Sequence, residues 1–589
     1  MSETAHGEII PKSLREVFTE ANQIEEIIGE NPLVTISLYR LLIAILHDCL
    51  QGPKDYDEWG ELWESESFDA EKLNNYFSEN ESNFYLFDDE KPFYQTAKLR
   101  QIEEITPPQL GDEIVKPIWK FFMEGEKFTT LFEHKNKESQ LNLMPAEAAR
   151  FLIAYQNFDI GGSQSRIEEG LNKKEIGLIK SAYAGLLNKC AVGLIRDGNL
   201  FNTLLLNFIR YDQENEIPFS NRGLKDTPIW RRNKPINPAE DKKIEGYVDL
   251  LTWQSRQIKL YPTRDVKGDL IVNDVVVMKG NNLDGDLFRK EQMVAFKKVV
   301  KEKKKVWTSI SFRQDRVLWR DSLSLFQMLT DDSSRPETLN WLSDLIKNGK
   351  LENSVFPIDF FGMGGNQAKP LFWRHERLPM PTLYLNNVKL CDELGKALKL
   401  SEIVAGILAA SVFRMATLHF LPDVRLEAKG WLTPALYGDK LKLANERFET
   451  FKKKSHKRSE DKDEFKTVKG KAVGVIPKLI KSLSPELRYW SLLETPFRHL
   501  LLALAEDSSK WKDERENWAD ELEKTALRAF GEVAFSLGNS PRSLRSVSIA
   551  RNWLKAELTN RKRKYTNFEK FDDEIEKQEQ EEEVEDDES

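Results

Sequence analysis

Asp463, Glu464 and Lys466 form an acid-x-lysine triplet of the nuclease type, whose chemistry would be metal-dependent cleavage of a phosphodiester. The triplet lies in the charged stretch 452–471, KKKSHKRSEDKDEFKTVKGK, where such spacings arise by chance. P-loop, HExxH, paired CxxC and GxSxG patterns are absent, and the cysteines and histidines are scattered without metal-ligand spacing. We therefore expect no catalysis, no metal and no cofactor, and keep a nuclease built on this triplet as the alternative.

Residues 362–381, GMGGNQAKPLFWRHERLPMP, contain glycines that give up side-chain packing and cost backbone entropy. Such glycines indicate that another group comes close to the main chain. The stretch is not a dinucleotide fingerprint, because GxGxxG is absent and no helical pattern follows it. A glycine-rich turn in a β-rich region explains the same residues by geometry alone, so both interpretations stay open. Within the stretch, His375 is interpreted as a structural or interface residue rather than a metal ligand.

Cations are concentrated in two places that are typical of nucleic-acid binding. Residues 288–307, FRKEQMVAFKKVVKEKKKVW, place many lysines near expected strands, although an exposed basic strand that limits aggregation has the same composition. In the last helical stretch Arg545, Asn552 and Lys555 share one face, and basic residues follow it in 560–564. A solvated helix end favoured by the helix dipole is the alternative there. The opposing face carries an apolar stripe of Leu544, Val547, Leu554 and Leu558.

The elements that position these residues divide the chain in two. Its 589 residues are 40% hydrophobic and 10% aromatic, which is a globular composition large enough for several cores. We expect an α+β fold, because helix and strand patterns alternate irregularly and then give way to helices only. We expect residues 1–382 to form a large mixed α/β domain, 383–565 a C-terminal helical bundle of the four-helix type, and 566–589 a disordered acidic tail.

Several local patterns make specific predictions. Residues 13–29 and 33–46 have helical periodicity, and the second stretch, LVTISLYRLLIAIL, is too short for a membrane span and contains Arg40. Residues 255–262 and 304–312 predict strands, and 269–280 predict strands with a hairpin about Asn273. The opening residues MSETAHGEIIPKS show no secretory signal pattern, so we expect a cytoplasmic protein without membrane contact.

The net charge of −9 hides a contrast between the tail and the rest of the chain. Residues 572–589 hold 12 acids and one lysine, a net charge of −11. The remaining chain therefore carries +2. A slightly basic body with basic clusters is compatible with a nucleic-acid partner, and the tail adds a separate polyanion.

A set of sequence blocks follows a fixed order along nearly the whole chain: SLREVFTEANQIEEIIGENPLVTISLYRLLIAILH, FYLFDDEKPFYQT, TTLFEHK, LMPAEAARFLIAYQNFDIGG, RDGNLFNTLLLNF, YVDLLTWQSRQIKL, PELRYWSLLETPF and SPRSLRSVSIARNWLKAEL. This ordered set resembles the large subunit of the type I-E CRISPR Cascade complex, the CasA family. The resemblance covers nearly the whole chain, and the order of the blocks makes it specific. It implies a mixed α/β domain followed by a helical bundle.

The same resemblance implies a non-catalytic subunit of an RNA-guided antiviral surveillance complex. Its members recognise the protospacer-adjacent motif (PAM) on duplex DNA, open the first base pairs to start R-loop formation, and help to recruit a helicase–nuclease. The implied partners are the 5′ handle of the guide RNA, double-stranded target DNA, the other Cascade subunits and the helicase–nuclease. Besides the nuclease, a purely structural scaffold subunit remains as an alternative.

Two groups of residues take roles from this resemblance. The wedge that parts the first base pair matches Gln367, flanked by Gly364, Gly365, Asn366 and Ala368. The loop that contacts the guide matches Thr130, Phe132 and His134, with Phe132 meeting the RNA. In the helical bundle, the shared face of Arg545, Asn552 and Lys555 described above, rather than the resemblance, predicts contacts with DNA.

Two further segments are expected to read the PAM. A lysine that enters the minor groove matches Lys290, with Arg289 as the alternative. A second PAM loop matches 184–191, AGLLNKCA, with Asn188 and Lys189 as its contact residues. The sequence departs from the family there, because some members carry a glycine pair where this loop has larger residues.

Overall fold

The structure, a computed structural model, describes residues 2–4, 7–97, 115–117, 142–163, 181–221, 223–232, 236, 240–301, 304–313, 316–327, 330, 333–366, 369–420 and 484–566. Helices and strands alternate irregularly in the first part of the described chain, and the last part is helical. This arrangement confirms the α+β class. The helices are α1 Leu14–Thr19, α2 Pro32–Leu50, α3 Tyr56–Glu64, α4 Ala70–Glu79, α5 Pro145–Phe158, α6 Leu200–Leu206, α7 Tyr247–Leu251, α8 Ser322–Phe326, α9 Glu337–Lys347, α10 Val388–Phe420, α11 Pro485–Leu492, α12 Glu494–Glu506, α13 Trp511–Phe535 and α14 Pro541–Tyr565.

The strands form small, mostly antiparallel sheets rather than one continuous sheet. The strands are β1 Ser2–Thr4, β2 Ile9–Ile10, β3 Ile24–Ile27, β4 Val115–Pro117, β5 Gly162–Ser163, β6 Ser181–Ala182, β7 Val192–Ile195, β8 Asp241–Lys242, β9 Arg256–Arg264, β10 Leu270–Lys279, β11 Asn282–Leu283, β12 Phe296–Lys301, β13 Lys304–Ser309, β14 Ser333–Ser334, β15 Val355–Asn366 and β16 Lys369–Pro381. Three-stranded sheets have the orders β2-β1-β3, β4-β10-β9, β13-β12-β14 and β16-β15-β7, and two-stranded sheets pair β11 with β8 and β5 with β6.

Helix α2 is the central helix of the mixed region. Asn31 caps it by accepting hydrogen bonds from the amides of Leu33 and Val34, at 2.9 and 3.0 Å, and Pro32 fills the first helical position. By length and composition α2 and the helix Val388–His419 are apolar enough to cross a bilayer, but 78% and 72% of their apolar windows are buried. Burial to this extent is typical of core helices, as expected for residues 33–46.

Two local expectations are wrong. The helical pattern of 13–29 breaks after Thr19, and Ile24–Ile27 forms strand β3 with both isoleucines buried. The expected hairpin about Asn273 is instead one long strand, β10, whose pairing with β9 shifts register between Val272 and Asp274. An extra residue in one strand produces such a bulge without reversing the chain.

The described residues form two compact units. The first comprises Met1–Gln314 and Ser324–Asn386, and the second comprises Asp315–Leu323 and Asn387–Ser589. Within the second unit, α10 packs against α13 and α14, and the hydroxyl of Ser411 donates to the carbonyl of Ala550 at 3.0 Å. Small residues on the buried face of α14 allow this close approach.

The segment 315–323, which we call the strap, is an unexpected part of the helical unit. Trp319 of the strap is buried and stacks on Phe497 with ring centroids 4.3 Å apart. Arg320 lies over the ring of Trp490 at 3.9 Å and forms a two-point ion pair with Glu402 at 2.9 and 2.6 Å. The strap therefore contributes both core packing and a charged anchor to the bundle.

The prediction of an apolar stripe on α14 is partly wrong. Leu554 and Leu558 are buried, but Leu544 is 56% exposed. The buried face begins with Ser543 and Ser546 instead. Small polar side chains can occupy these positions because their hydroxyls donate to backbone carbonyls, those of Leu537 and Ser543.

Candidate nucleic-acid interface

Strand β7 is the element that brings the expected DNA-reading segments together. On one side it pairs with β15, with Val192 opposite Phe361 and Ile195 opposite Ile358. On the other side the amide of Gly193 donates to the carbonyl of Met293 at 2.8 Å. The loop before β7, the turn before Met293 and the ribbon made by β15 and β16 are thus joined through one short strand.

The loop 185–190 is held rigidly against the end of α5. The amides of Gly185 and Leu187 donate to the carbonyls of Asp159 and Asn157 at 2.7 and 3.0 Å. The side-chain amide of Asn188 donates to the carbonyl of Phe158 at 3.0 Å and to that of Asp159 at 3.3 Å. Because these bonds fix the backbone and one side chain, the loop is preorganised.

Asn188 and Lys189, the two residues expected to contact DNA from this loop, differ in how they are used. The Asn188 amide is engaged by the protein and also lies 3.6 Å from the sulfur of Met363 on β15. Lys189 is exposed, while its carbonyl accepts a hydrogen bond from the hydroxyl of Ser309 at 2.9 Å. Asn188 therefore links the loop to the ribbon, and Lys189 is the side chain that faces solvent.

A buried arginine supports this loop from beneath. Arg256 forms an ion pair with Asp159, and both side chains are almost completely buried. A second nitrogen of the same guanidinium donates to the carbonyl of Tyr183 at 2.6 Å. A buried charge needs such complete pairing, since an unpaired one would carry a large desolvation penalty. No local sequence pattern reveals this role of Arg256, because its partners lie 97 and 73 residues away in other elements.

Arg289 and Lys290 lie on a tight turn between β11 and β12. Arg289 adopts a positive φ of 60°, and the side-chain amide of Gln292 donates to the carbonyls of Arg289 and Lys290 at 3.1 and 2.7 Å. The next residue, Glu291, makes a two-point ion pair with Arg40 of α2 at 2.8 and 3.0 Å, and both side chains are buried. The turn is therefore anchored to the central helix directly beside Lys290.

An aromatic and cationic stack adjoins this turn. Phe288 stacks on Trp307 of β13 with centroids 4.0 Å apart and planes 12° from parallel. Arg289 lies over Phe288 at 5.4 Å, and Lys298 of β12 lies over Trp307 at 5.2 Å. Rings and cations in alternation can bind both bases and phosphates. The register of the strands, in which Lys298 pairs with Trp307, is the signal that could have revealed this stack.

Contacts within the protein explain two of the glycines in the ribbon of β15 and β16. A Cβ atom on Gly362 would lie 2.4 Å from the carbonyl oxygen of Cys190, and one on Gly364 would lie 2.1 Å from the ring of Phe372. Both distances are far below ordinary contact. The close approach inferred from the sequence is thus made by the protein itself at these two positions, while DNA contact at Gly364 and Gly365 stays a prediction.

A buried carboxylate fastens the base of the ribbon. Asp359 of β15 accepts a two-point ion pair from Arg377 at 2.6 and 2.7 Å and a contact from His375 Nε2 at 3.0 Å. Arg196, after β7, approaches it with Nε at 3.6 Å. Burial alone raises the pKa of Asp359, but the hydrogen bonds from Arg377 and His375 outweigh it and lower that pKa to about 2.

The same cluster reaches other elements. Arg196 also pairs with Glu26 of β3 and donates to the hydroxyl of Tyr39 on α2. His375 stacks flat on Phe361, with centroids 4.6 Å apart. These contacts fit the structural interpretation of His375 that the sequence suggested.

The other expected site residues fall into three groups. Arg545, Asn552 and Lys555 are exposed on α14 in the helical unit. Of Gly365 and Asn366 the structure gives the backbone, which pairs with Pro370 and Lys369. The remaining expected residues lie outside the described part of the chain, and their roles stay predictions: Thr130, Phe132, His134, Gln367, Ala368, Asp463, Glu464, Lys466 and the tail 566–589 except its first residue.

Across the described residues no group of three or more histidine, cysteine, aspartate or glutamate side chains is arranged to hold a metal ion. Two of the cysteines have thiols unsuited to nucleophilic chemistry, because burial raises the pKa of Cys49 and of Cys190 to about 12. The cations and aromatic rings described above offer chemistry for binding.

Comparison with known proteins identifies the family and the fold that this chain resembles. The family model described as CRISPR-associated protein Cse1 matches residues 7–529. The CRISPR-associated protein CasA/Cse1 of Thermus thermophilus is 25% identical over 549 residues, which are 92% of this chain and 92% of that protein.

Solved structures show the same fold. Cse1 of Thermobifida fusca superposes with a TM-score of 0.70 at 21% identity, covering 95% of this chain and 96% of that one. A chain of a structure described as a CRISPR RNA-guided surveillance complex superposes with a TM-score of 0.63 at 17% identity, covering 94% and 97% of the two chains.

Proposed function

The chain belongs to the CRISPR-associated protein Cse1 family, and from that premise we propose that it is a non-catalytic subunit of an RNA-guided surveillance complex. In that complex it recognises the PAM on duplex DNA, opens the first base pairs and helps to recruit the helicase–nuclease. The similar chain found in a CRISPR RNA-guided surveillance complex supports its role as a subunit.

The observation that carries this proposal is the convergence at β7. Three segments that the family resemblance assigns to PAM reading or to opening the first base pair lie far apart along the chain. The bonds of Gly193 to Met293 and of β7 to β15 hold them side by side. Rigid anchoring of each segment, by Arg256, Arg40 and Asp359, is what a reading surface requires, since ordering it during binding would cost affinity.

The physical demands of the task fit the residue types. The minor groove offers a degenerate pattern, so one lysine and a few backbone groups can accept several related sequences. Opening a base step costs a few kcal/mol, which PAM contacts and backbone electrostatics offset. Once the first pairs are open, pairing with the guide proceeds at nearly balanced free energy.

Gln367, the residue that follows the last residue of β15 in the sequence, is the proposed wedge. A glutamine has a planar amide that can both donate and accept, so it can replace a base edge without carrying a charge that must be desolvated. Phe132 is the proposed contact with the guide, and Arg545, Asn552 and Lys555 are proposed further contacts with DNA.

The test compares R-loop formation on two substrates. Gln367→Ala should slow R-loop formation on intact PAM-bearing duplex and leave a duplex with mismatched, already open first pairs nearly unaffected. Equal losses on both substrates would reject the wedge role. Cleavage by the isolated full chain with a divalent metal would favour the nuclease alternative, and assembly with no PAM dependence of DNA binding would favour the scaffold alternative.

A further inference from the structure

The ribbon of β15 and β16 is supported at two levels along its length. The first support is the Asp359 cluster, which ties both strands to Arg196 and, through it, to Glu26 and Tyr39. The second is the loop 188–190, where the Asn188 amide meets the Met363 sulfur and the Cys190 carbonyl fits against Gly362.

Because the ribbon is held at two points along its length, its direction is fixed. At about 3.3 Å per residue, Asp359 lies roughly 13 Å from Met363 on one side, and Asn366 lies roughly 10 Å from it on the other. A shift of ~1 Å at the base would therefore move the tip by nearly the same distance in the opposite sense. Displacements of this size are enough to cost an active geometry one to two orders of magnitude in rate.

The first support, the Asp359 cluster, requires desolvation of a charge and yields little net stability in return. Asp359 has only 1% of its side chain exposed, so its charge is desolvated and must be fully paired. A buried ion pair contributes little net free energy of folding compared with apolar packing, but it imposes a specific geometry. The two-point bond of Arg377 to Asp359 runs directly across the two strands, because these residues are register partners.

We propose that the Asp359–Arg377 ion pair is a positioning element that aims the tip of the ribbon at the first base pair. This inference rests on the proposed wedge function. Arg377 affects DNA opening indirectly, because it sets the direction of the ribbon. The carboxylate of Asp359 holds Arg377, His375 and Arg196 around one point. Neither residue needs to touch the duplex.

Arg377→Gln is the main test variant, since 46% of the Arg377 side chain is exposed and Arg196 and His375 still face the Asp359 carboxylate in its absence. Arg488→Gln is the matched control: Arg488 is 45% exposed and also makes a two-point ion pair, with Glu532 in the helical unit. Arg377→Lys keeps the charge but loses the two-point geometry. Asp359→Asn probes the pair from its other side.

The measurement is the rate of R-loop formation by the assembled complex on intact and on pre-opened PAM-bearing duplex. Arg377→Gln should slow opening of the intact duplex by about tenfold or more and leave the pre-opened duplex within about twofold of wild type. On intact duplex, the rate for Arg377→Lys should lie between the rates for the wild type and for Arg377→Gln. Arg488→Gln should leave the ratio of the two rates unchanged.

A double mutant separates positioning from direct contact. If Arg377 acts through Gln367, adding Arg377→Gln to Gln367→Ala should cause no further loss on intact duplex. An additional loss, or equal losses of Arg377→Gln on both substrates, would overturn the inference and mark Arg377 as a phosphate contact or a purely structural residue. A lower thermal midpoint with an unchanged rate ratio would overturn it as well.

The two levels of the proposal fail differently. If Gln367→Ala itself shows no preference for intact duplex, the wedge function fails and the inference fails with it. If Gln367→Ala shows that preference and Arg377→Gln does not, the inference alone fails. Should Asp359→Asn not fold, Arg377→Gln and Arg377→Lys still decide the outcome.

Discussion

The ring of Phe372 occupies the space that a side chain at Gly364 would need. The two residues face each other across the ribbon, and a Cβ on Gly364 would lie 2.1 Å from Phe372 Cζ. The guanidinium of Arg374 also lies over this ring, 4.6 Å from the Phe372 centroid and 5.7 Å from that of Phe312. The glycine thus lets an aromatic ring lie against the main chain close to the tip.

Gly364→Ala should therefore destabilise the protein by ~1–3 kcal/mol, because the ring must be displaced from a packed position. Thermal unfolding measures this loss. Adding Phe372→Ala should recover part of it, since the clashing ring is then absent. As a control, Gly531→Ala in α13, where a Cβ meets nothing within 4 Å, should be neutral or stabilising.

A different result would restore the first interpretation of this glycine. If Gly364→Ala leaves the thermal midpoint unchanged but weakens binding of PAM-bearing duplex, the main chain at Gly364 meets DNA directly.

Lys290→Ala should weaken binding of PAM-bearing duplex far more than binding of duplex without a PAM, if Lys290 enters the minor groove. Equilibrium binding at several salt concentrations measures this. A lysine that meets only phosphates would instead weaken both about equally and reduce the salt slope by about one unit. That second result would transfer the role to Arg289, whose exposed guanidinium rests on Phe288.

Phe132→Ala should weaken the joining of this subunit to a guide-loaded complex by ~1–3 kcal/mol, the range for the loss of one stacked base. Titration of the subunit into the remaining complex measures the affinity. The thermal midpoint of the free subunit should not change. A lower midpoint with normal assembly would show instead that Phe132 is a core residue.

Deletion of residues 572–589 should raise the affinity for non-specific duplex at low salt, because 12 carboxylates compete with DNA for the same cations. The gain should shrink at high salt, where the charges are screened. A variant in which the tail acids are replaced by glutamine and asparagine controls for length. Unchanged low-salt binding after deletion would exclude competition by the tail.

The sequence predicts what is local and misses what depends on distant partners. The apolar run 33–46 predicts α2, because the side chains of so apolar a helix must be buried in the core, and in the structure most of them are. The pattern of 24–27 fits a helix or a strand equally, and pairing with β1 decides for the strand. No local pattern announces that Arg40 meets Glu291, since 251 residues separate them.

The candidate site shows the same division. The sequence reveals the glycines and the lysines as composition, but it does not reveal the contacts that explain their positions. Phe372 against Gly364 and Trp307 against Phe288 depend on strand register, which a single bulge can shift. The cluster around Asp359 draws on several separate elements, so its existence follows only from tertiary structure.

The strap changes what a break in the chain would do. Because Asp315–Leu323 belongs to the helical unit, the polypeptide enters that unit, leaves it after a short segment and returns at Asn387. A protease that cuts near residue 386 would therefore not release the bundle, as Trp319 would remain embedded beside Trp490 and Phe497. Two polypeptides encoded by a gene divided at that point should find each other and reassemble, and a bundle exchanged between relatives must bring its own strap.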